Sequence, residues 1–376
     1  MHTWDNPIGT DGFEFVEYAS DEPEKLGALF ESLGFTAIAR HRSKNVTLYR
    51  QGQINFILNA ESRGQPKAFT DQHGASANAM AFRVKNAADA FAKLVAMGAK
   101  PVASGTGPME LQIPAIEGIG GSLVYLVDRY LDENGQGISI YDIDFVPIPG
   151  VDQHPVGTGL TYIDHLTHNV ERGDMDKWAG FYEKLFNFRE IRYFDIAGKH
   201  TGLFSRAMTS PCGKIRIPIN ESADDKSQIA EYLREHNGEG IQHIALGSND
   251  IYRTVSELRA NGMDFMPTPD TYYDNIDKRL PGHGEDLERL RALRILIDGE
   301  PMDKVGKEDK LLQIFTQTVI GPIFFEIIQN NRYRMRNFLI RKMQDMFTND
   351  FSDIEVFRIF NHFRITENGF SFWNEV

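Results

Sequence analysis

Two stretches of this chain, far apart in the sequence, follow one plan, and that repetition constrains the fold more than any other feature. The segment GFEFVEYAS (Gly12 to Ser20) predicts a strand that leads into a helix opened by Ser20, Asp21 and Pro23. Leu26, Leu29, Phe30 and Leu33 carry that helix at i, i+3, i+4, i+7 spacing, and Gly34 stops it. VTLYRQ and INFILNA read as strands around a hairpin turn at Gly52. AMAFRV is a further strand, NAADAFAKLVAMG a helix ending at Gly98, and SLVYLVD closes the half at Asp128. From Gly157 the order returns. LTYIDHLTHNV is a strand, and the next helix carries Trp178, Phe181, Tyr182 and Leu185 at the same spacing, ending in Asn187-Phe188 as the first ends in Gly34-Phe35. There are 17 positions from Ala81 to Gly98 and 17 from Ala245 to Gly262, so the second half is a copy of the first. The boundary falls in VPIPGVDQHPVGTG, Val146 to Gly159. The expected domains are residues 1–150 and 151–329, with 330–376 as a tail.

A chain of 376 residues suits two such domains. Its net charge of −13 argues against nucleic acid or an anionic membrane as partner, since both need a basic face. No stretch is long and apolar enough to span a bilayer, and MHTWDNPIGTDG lacks the pattern of a signal peptide. The single cysteine, Cys212, excludes an internal disulfide and suits a cytoplasmic location. It lies in the turn-like SPCGK and reads as a bystander.

The most apolar run, KLLQIFTQTVIGPIFFEIIQ from Lys310 to Gln329, holds Glu326 among Ile323, Phe324, Phe325, Ile327 and Ile328. A carboxylate buried there must be paired, protonated or bound to a metal. Aligning the copies sets Phe15 opposite His165, Ala79 opposite His243 and Tyr125 opposite Glu326. Three apolar or aromatic positions of the first half are thus His, His and Glu in the second. Two histidines and a carboxylate with open coordination positions match the facial triad of non-haem Fe(II) oxygenases, and zinc also accepts such ligands. The bland alternative pairs Glu326 with an arginine and leaves both histidines as ordinary core groups. His168 lies three positions after His165, so strand alternation puts it on the opposite face and outside the ligand set.

YIDHLTHNV, GEGIQHIAL, LLQIFT and IFFEIIQ, together with HRSKNV, PDTYYD and IPAIEGIGGS, resemble the 4-hydroxyphenylpyruvate dioxygenase family of the vicinal oxygen chelate (glyoxalase-like) superfamily. The resemblance runs from about Asp11 to Gln329. It implies an α+β fold of paired βαβββ modules forming two vicinal-oxygen-chelate-type domains, open curved sheets with helices outside. The first domain would lack metal ligands, and the second would hold Fe(II) at His165, His243 and Glu326. The family's pocket carries over onto Ser205, Asn220, Gln228, Phe315 and Phe324 as substrate-binding residues, and onto Gln242 and Gln313 as catalytic ones. A 2-oxo acid chelates the metal and O2 takes another open position, which couples loss of CO2 to oxidation of the substrate. The implied reaction gives homogentisate in tyrosine and phenylalanine catabolism, and the implied assembly is a homo-oligomer, dimer or tetramer. A rival within the superfamily is 4-hydroxymandelate synthase. Phe315 in QIF resembles the dioxygenase branch. A third reading is a homologue that binds iron or ligand with impaired turnover.

That third reading comes from the tail. Beyond Gln329 the family's Gly-Phe-Gly turn is missing, and only Asn337-Phe338 resembles its capping helix. Residues after about Asn330 are therefore expected to dock poorly. The second copy is also longer between its last two ligand positions, 83 residues from His243 to Glu326 against 46 from Ala79 to Tyr125. The excess of 37 residues is largely DTYYDNIDKRLPGHGEDLERLRALRILIDG, which is expected to cover the metal side of the domain, with GEDLERLRALR as a solvated helix face.

Overall fold

A computed structural model describes residues 4–330, apart from 104, 108, 133–134, 198–201 and 301–308, and a small strand pair at 365–366 and 369–370. The first half contains strands β1 (Thr10–Ala19), β2 (Thr36–His41), β3 (Val46–Gln51), β4 (Ile54–Asn59), β5 (Ser76–Val84), β6 (Pro101–Val102), β7 (Ala115–Glu117), β8 (Leu123–Val127) and β9 (Phe145–Pro147). Helices α1 (Pro23–Ser32), α2 (Gln65–His73), α3 (Ala87–Ala96) and α4 (Ile140–Asp144) connect them. The second half contains β10 (Leu160–Val170), β11 (Arg189–Ala197), β12 (Gly202–Thr209), β13 (Arg216–Ser222), β14 (Gly240–Ser248), β15 (Leu296–Glu300), β16 (Asp309–Phe315) and β17 (Phe324–Asn330). Its helices are α5 (Met175–Phe186), α6 (Gln228–Glu235), α7 (Ile251–Ala260), α8 (Asp270–Asp274), α9 (Ile276–Arg279) and α10 (Leu287–Leu293).

The repeat is reproduced strand for strand. The first sheet runs β6-β7-β8-β5-β1-β4-β3-β2-β9 and the second β11-β12-β13-β10-β14-β17-β16-β15. Read in the opposite direction, the second has the order of the first, with β9 as the one addition. Each half is a pair of βαβββ modules, and the fold is of the vicinal-oxygen-chelate type. The register also agrees with the sequence alignment. Phe15 pairs with Ala81 and Ala81 with Tyr125; in the second half His165 pairs with Ala245 and Ala245 with Glu326.

Strand alternation divides the apolar residues between two faces. On the outer faces Val16, Tyr18, Phe56, Ile219, Ile244 and Leu246 join helix residues such as Phe30, Leu94, Tyr182 and Val255 in one core shared by both halves. Aromatic rings interleave across the seam. Phe56 stacks on Phe325 with centroids 5.8 Å apart, and Phe82 meets Phe186 at 5.3 Å. His73 at the end of α2 stacks at 4.4 Å on His236, the residue after α6. Glycine is needed where backbones touch: a Cβ on Gly157, at φ +55°, would lie 2.2 Å from the Gly34 carbonyl oxygen. The inner face of the first sheet is filled by its own cluster, in which Phe15, Ile38, Leu48, Ile57 and Tyr141 of α4 meet.

The insertion before β15 packs along α7 and along the β15 edge of the second sheet. Tyr272 and Arg279 donate to the Ile297 carbonyl of β15, and Lys310 of β16 donates to Glu285. Arg289 sits over the Tyr252 ring at 4.4 Å, and Arg259 donates to the Leu293 carbonyl. Within α10 only Leu290 is buried, as a solvated face requires. The expectation for the tail, including Asn337 and Phe338, falls outside the described residues.

Candidate metal centre

Three adjacent strands bring His165, His243 and Glu326 together. His165 on β10 and Glu326 on β17 flank Ala245 of β14 in one register row, and His243 stands two residues before Ala245 on the same face. The small alanine side chain leaves the space between them open. His165 Nε2 is 3.0 Å and His243 Nε2 3.7 Å from the same Glu326 oxygen, and the rings meet edge to face at 5.5 Å. One ligand atom from each residue lies within 4.8 Å of the others. In the first half the equivalent rows hold Phe15 and Tyr125, ring to ring at 5.7 Å.

The other ring nitrogens are already occupied. His165 Nδ1 lies 3.0 Å from Asp164 Oδ1, and Arg216 Nη1 donates to Asp164 Oδ2 at 3.2 Å. His243 Nδ1 lies 3.1 Å from Gln242 Oε1. A carboxylate or amide oxygen only accepts, so each Nδ1 carries a proton, and Nε2 is the nitrogen that each ring offers to a metal in place of a proton. Such outer partners fix tautomer and ring orientation for a metal. Burial works against a charge on His165, but Glu326 and Asp164 beside it outweigh that and push its pKa up to about 9. Burial holds His243 well below its ordinary value, and the neighbouring His165 adds to this. Without a cation, a proton on His165 is what balances the buried carboxylates. The donor set of two imidazole nitrogens and one carboxylate oxygen therefore fits a divalent metal ion.

Asp164 is a residue that strand alternation places on the wrong face. Ile163 pairs with Leu246 but His165 with Ala245, so Asp164 is the extra residue of a β-bulge that re-aims its side chain toward the metal side. Neither Asp164 nor Arg216 stands out in the sequence. The signal available was the first half, where Glu14 occupies the matching bulge between Phe13 and Phe15 and is likewise held by an arginine, Arg83. His168 faces the other way: its Nε2 meets the Tyr182 hydroxyl of α5 at 2.7 Å, and burial lowers its pKa to about 3.

The remaining pocket positions are distributed around the triad. Phe324 stacks on His243 at 4.8 Å, and Phe315, opposite Glu326 in register, meets Phe324 at 6.0 Å. Gln313 is buried two residues along β16 from Phe315, hence on the same face. Ser205 and Asn220 pair directly across β12 and β13, the strands beyond β10. Gln228 opens α6, and no described contact ties it to the triad. Cys212 is buried beside Ser210, away from all of these. Among the described residues no helix is long and apolar enough to cross a membrane.

Similarity to known proteins covers both halves. Residues 4–146 match the family described as "Hydroxyphenylpyruvate dioxygenase, HPPD, N-terminal", and residues 162–276 match the Glyoxalase/Bleomycin resistance protein/Dioxygenase superfamily. The chain is 62% identical over 327 residues to a 4-hydroxyphenylpyruvate dioxygenase of Pseudomonas aeruginosa, spanning 86% of this chain and 89% of that protein. It is equally similar, 62% over 329 residues, to Hemolysin VllY of Vibrio vulnificus, with 86% and 90% covered. Among solved structures it superposes on a xylose isomerase-like TIM barrel/4-hydroxyphenylpyruvate dioxygenase fusion protein with a TM-score of 0.72 and 34% identity. That match covers 88% of this chain and 51% of the longer fusion.

Proposed function

The chain belongs to the 4-hydroxyphenylpyruvate dioxygenase family, and from that premise we propose that it is the enzyme that converts 4-hydroxyphenylpyruvate and O2 to homogentisate and CO2, with Fe(II) held by His165, His243 and Glu326. The observation that carries this reading is the convergence of the three donors within 4.8 Å, with both imidazoles turned by outer partners so that Nε2 faces the carboxylate. When bound, the metal supplies a chelation point for the 2-oxo acid and a site for O2, so that decarboxylation and oxidation of the ring are coupled.

The protein's own residues do the rest by holding and excluding. Three protein donors would leave a bound metal open to substrate and O2. Phe324 lies against His243, and Phe315 against Phe324, so the aromatic ring of a bound arylpyruvate meets apolar surface beside the metal and water is kept from it. Gln242 keeps His243 in its tautomer, and Gln313 offers an amide on the same face as Phe315. Phe315, in place of a smaller aliphatic residue, supports the dioxygenase branch over hydroxymandelate formation. We further infer that residues 1–150 form the metal-free domain and 151–329 the metal-binding one, that the protein acts in the cytoplasm, and that it assembles as a homo-oligomer.

The test is an oxygen-electrode measurement on protein loaded with Fe(II), followed by chromatography of the product. O2 uptake with 4-hydroxyphenylpyruvate and a homogentisate peak are expected. A dominant hydroxymandelate peak would reverse the choice of product, and substrate binding without O2 uptake would reduce the chain to an iron-binding homologue.

A further inference from the structure

The inner face of β10 carries more polar atoms than the metal centre uses. Beyond His165 the next two inward residues are Thr167 and Asn169, which are 1% and 0% exposed. Thr167 Oγ1 and both side-chain atoms of Asn169, Oδ1 and Nδ2, have no hydrogen-bond partner among the described residues. A wholly buried amide with both ends unpaired is rare in folded proteins and calls for a partner that the described residues do not supply.

Register fixes where that amide lies. His168 faces outward to Tyr182, and its parallel neighbour Ile219 is in the outer core, so Asn169 and its own neighbour Asn220 are on the inner face. Asn220 in turn pairs with Ser205 on β12. Three neighbouring strands thus set Ser205, Asn220 and Asn169 side by side in one polar row. The row is four residues of strand from His165, about 13 Å of backbone, which an extended arylpyruvate and the side chains at either end can bridge.

We propose that Asn169 is a specificity-determining residue that pairs with the phenolic hydroxyl of the substrate while its keto-acid end lies at the triad; this rests on the function proposed above. The chemistry matches at both atoms. A phenol O–H donates one hydrogen bond and accepts another, and a side-chain amide offers one acceptor and two donors. An arylpyruvate without the hydroxyl leaves the amide unpaired, and a site built around such a pair rejects the analogue that lacks it. Asn169 therefore sets the preference for 4-hydroxyphenylpyruvate over phenylpyruvate.

The experiment is anaerobic titration of the Fe(II)-loaded protein with each acid, in wild type and in Asn169→Leu, with Asn169→Ser measured as well in case the leucine variant does not fold. Wild type should bind the hydroxylated acid more tightly. The leucine variant should lose roughly tenfold in affinity for it while phenylpyruvate binding and metal affinity stay within about twofold, abolishing the preference. Its melting temperature without substrate should be unchanged or higher, because an unpaired buried amide has been removed. Equal loss for both acids, or a preference retained in the variants, overturns the assignment. A fall in melting temperature with the preference intact also overturns it, since Asn169 would then be a structural residue paired through water. A wild-type protein that binds neither acid fails before any substitution and overturns the functional reading itself.

Discussion

Asp164→Asn isolates the brace behind the metal centre. Asp164 is 1% exposed and serves two donors at once, His165 Nδ1 at 3.0 Å and Arg216 Nη1 at 3.2 Å. An amide of the same size has one acceptor oxygen where the carboxylate has two. Whichever donor keeps the oxygen, the other faces an NH2 group and is left unpaired in a buried place. Such an orphaned donor costs about 1–3 kcal/mol, and loss of an outer-shell partner typically weakens metal binding about 10- to 100-fold. The two estimates agree on roughly 30-fold, equivalent to about 2 kcal/mol. Calorimetric titration with Fe(II) under anaerobic conditions, repeated with Co(II), measures it directly. Gln242→Ala provides the comparison: the His243 side chain is 13% exposed against 3% for His165, so water can replace the lost acceptor and the effect should stay below about tenfold. A dissociation constant for Asp164→Asn within twofold of wild type, in a folded protein, would refute the claim that this carboxylate orients His165 for the metal.

Glu326→Gln should abolish stoichiometric metal binding, read by metal analysis after gel filtration, because the only carboxylate of the donor set is gone. Gly157→Ala should destabilise the protein by more than about 2 kcal/mol in urea unfolding, since the added Cβ meets the Gly34 carbonyl and the Gln51 side chain. Phe325→Ala should cost about 3–5 kcal/mol, because Phe325 is wholly buried and stacked across the seam on Phe56. Burial lowers both His168 and His236 to about 3, with the charge of His73 adding to the effect at His236. Their ordinary value is near 6.5, so the unfolded chain takes up these protons first. Stability should fall as pH drops from about 6.5 toward 3, by up to about 1.4 kcal/mol per pH unit for each group, and a chemical denaturation series should show less of this slope in His168→Gln.

The sequence discloses what obeys a period. Strand alternation and the repeat together locate His165, His243 and Glu326, because inward positions recur every second residue and both copies share one register. They also place His168 outside the ligand set, where Tyr182 receives it. What breaks a period stays hidden. Asp164 is re-aimed by a bulge, and nothing in YIDHLTHNV marks one except the comparison with Glu14. The insertion before β15 shows where its apolar residues are but not that α7 and the β15 edge receive them. Gln228 resembles a pocket residue by its motif alone, and its place at the head of α6 gives it no described contact with the triad.

The interleaved rings at the seam give the metal a reach that its coordination does not suggest. Since Phe56, Phe82, Phe186 and Phe325 belong to one core, an opening that exposes β1 or β5 also strips cover from β10 and β14. Whatever binds only the folded second half therefore resists unfolding of the first, and a cation present at 100 times its dissociation constant adds about 2.7 kcal/mol to every such opening. Amide exchange in the strand that carries Phe15 should slow on adding metal nearly as much as in the strand that carries His165. The first half would then become a remote gauge of whether the triad of the second is loaded.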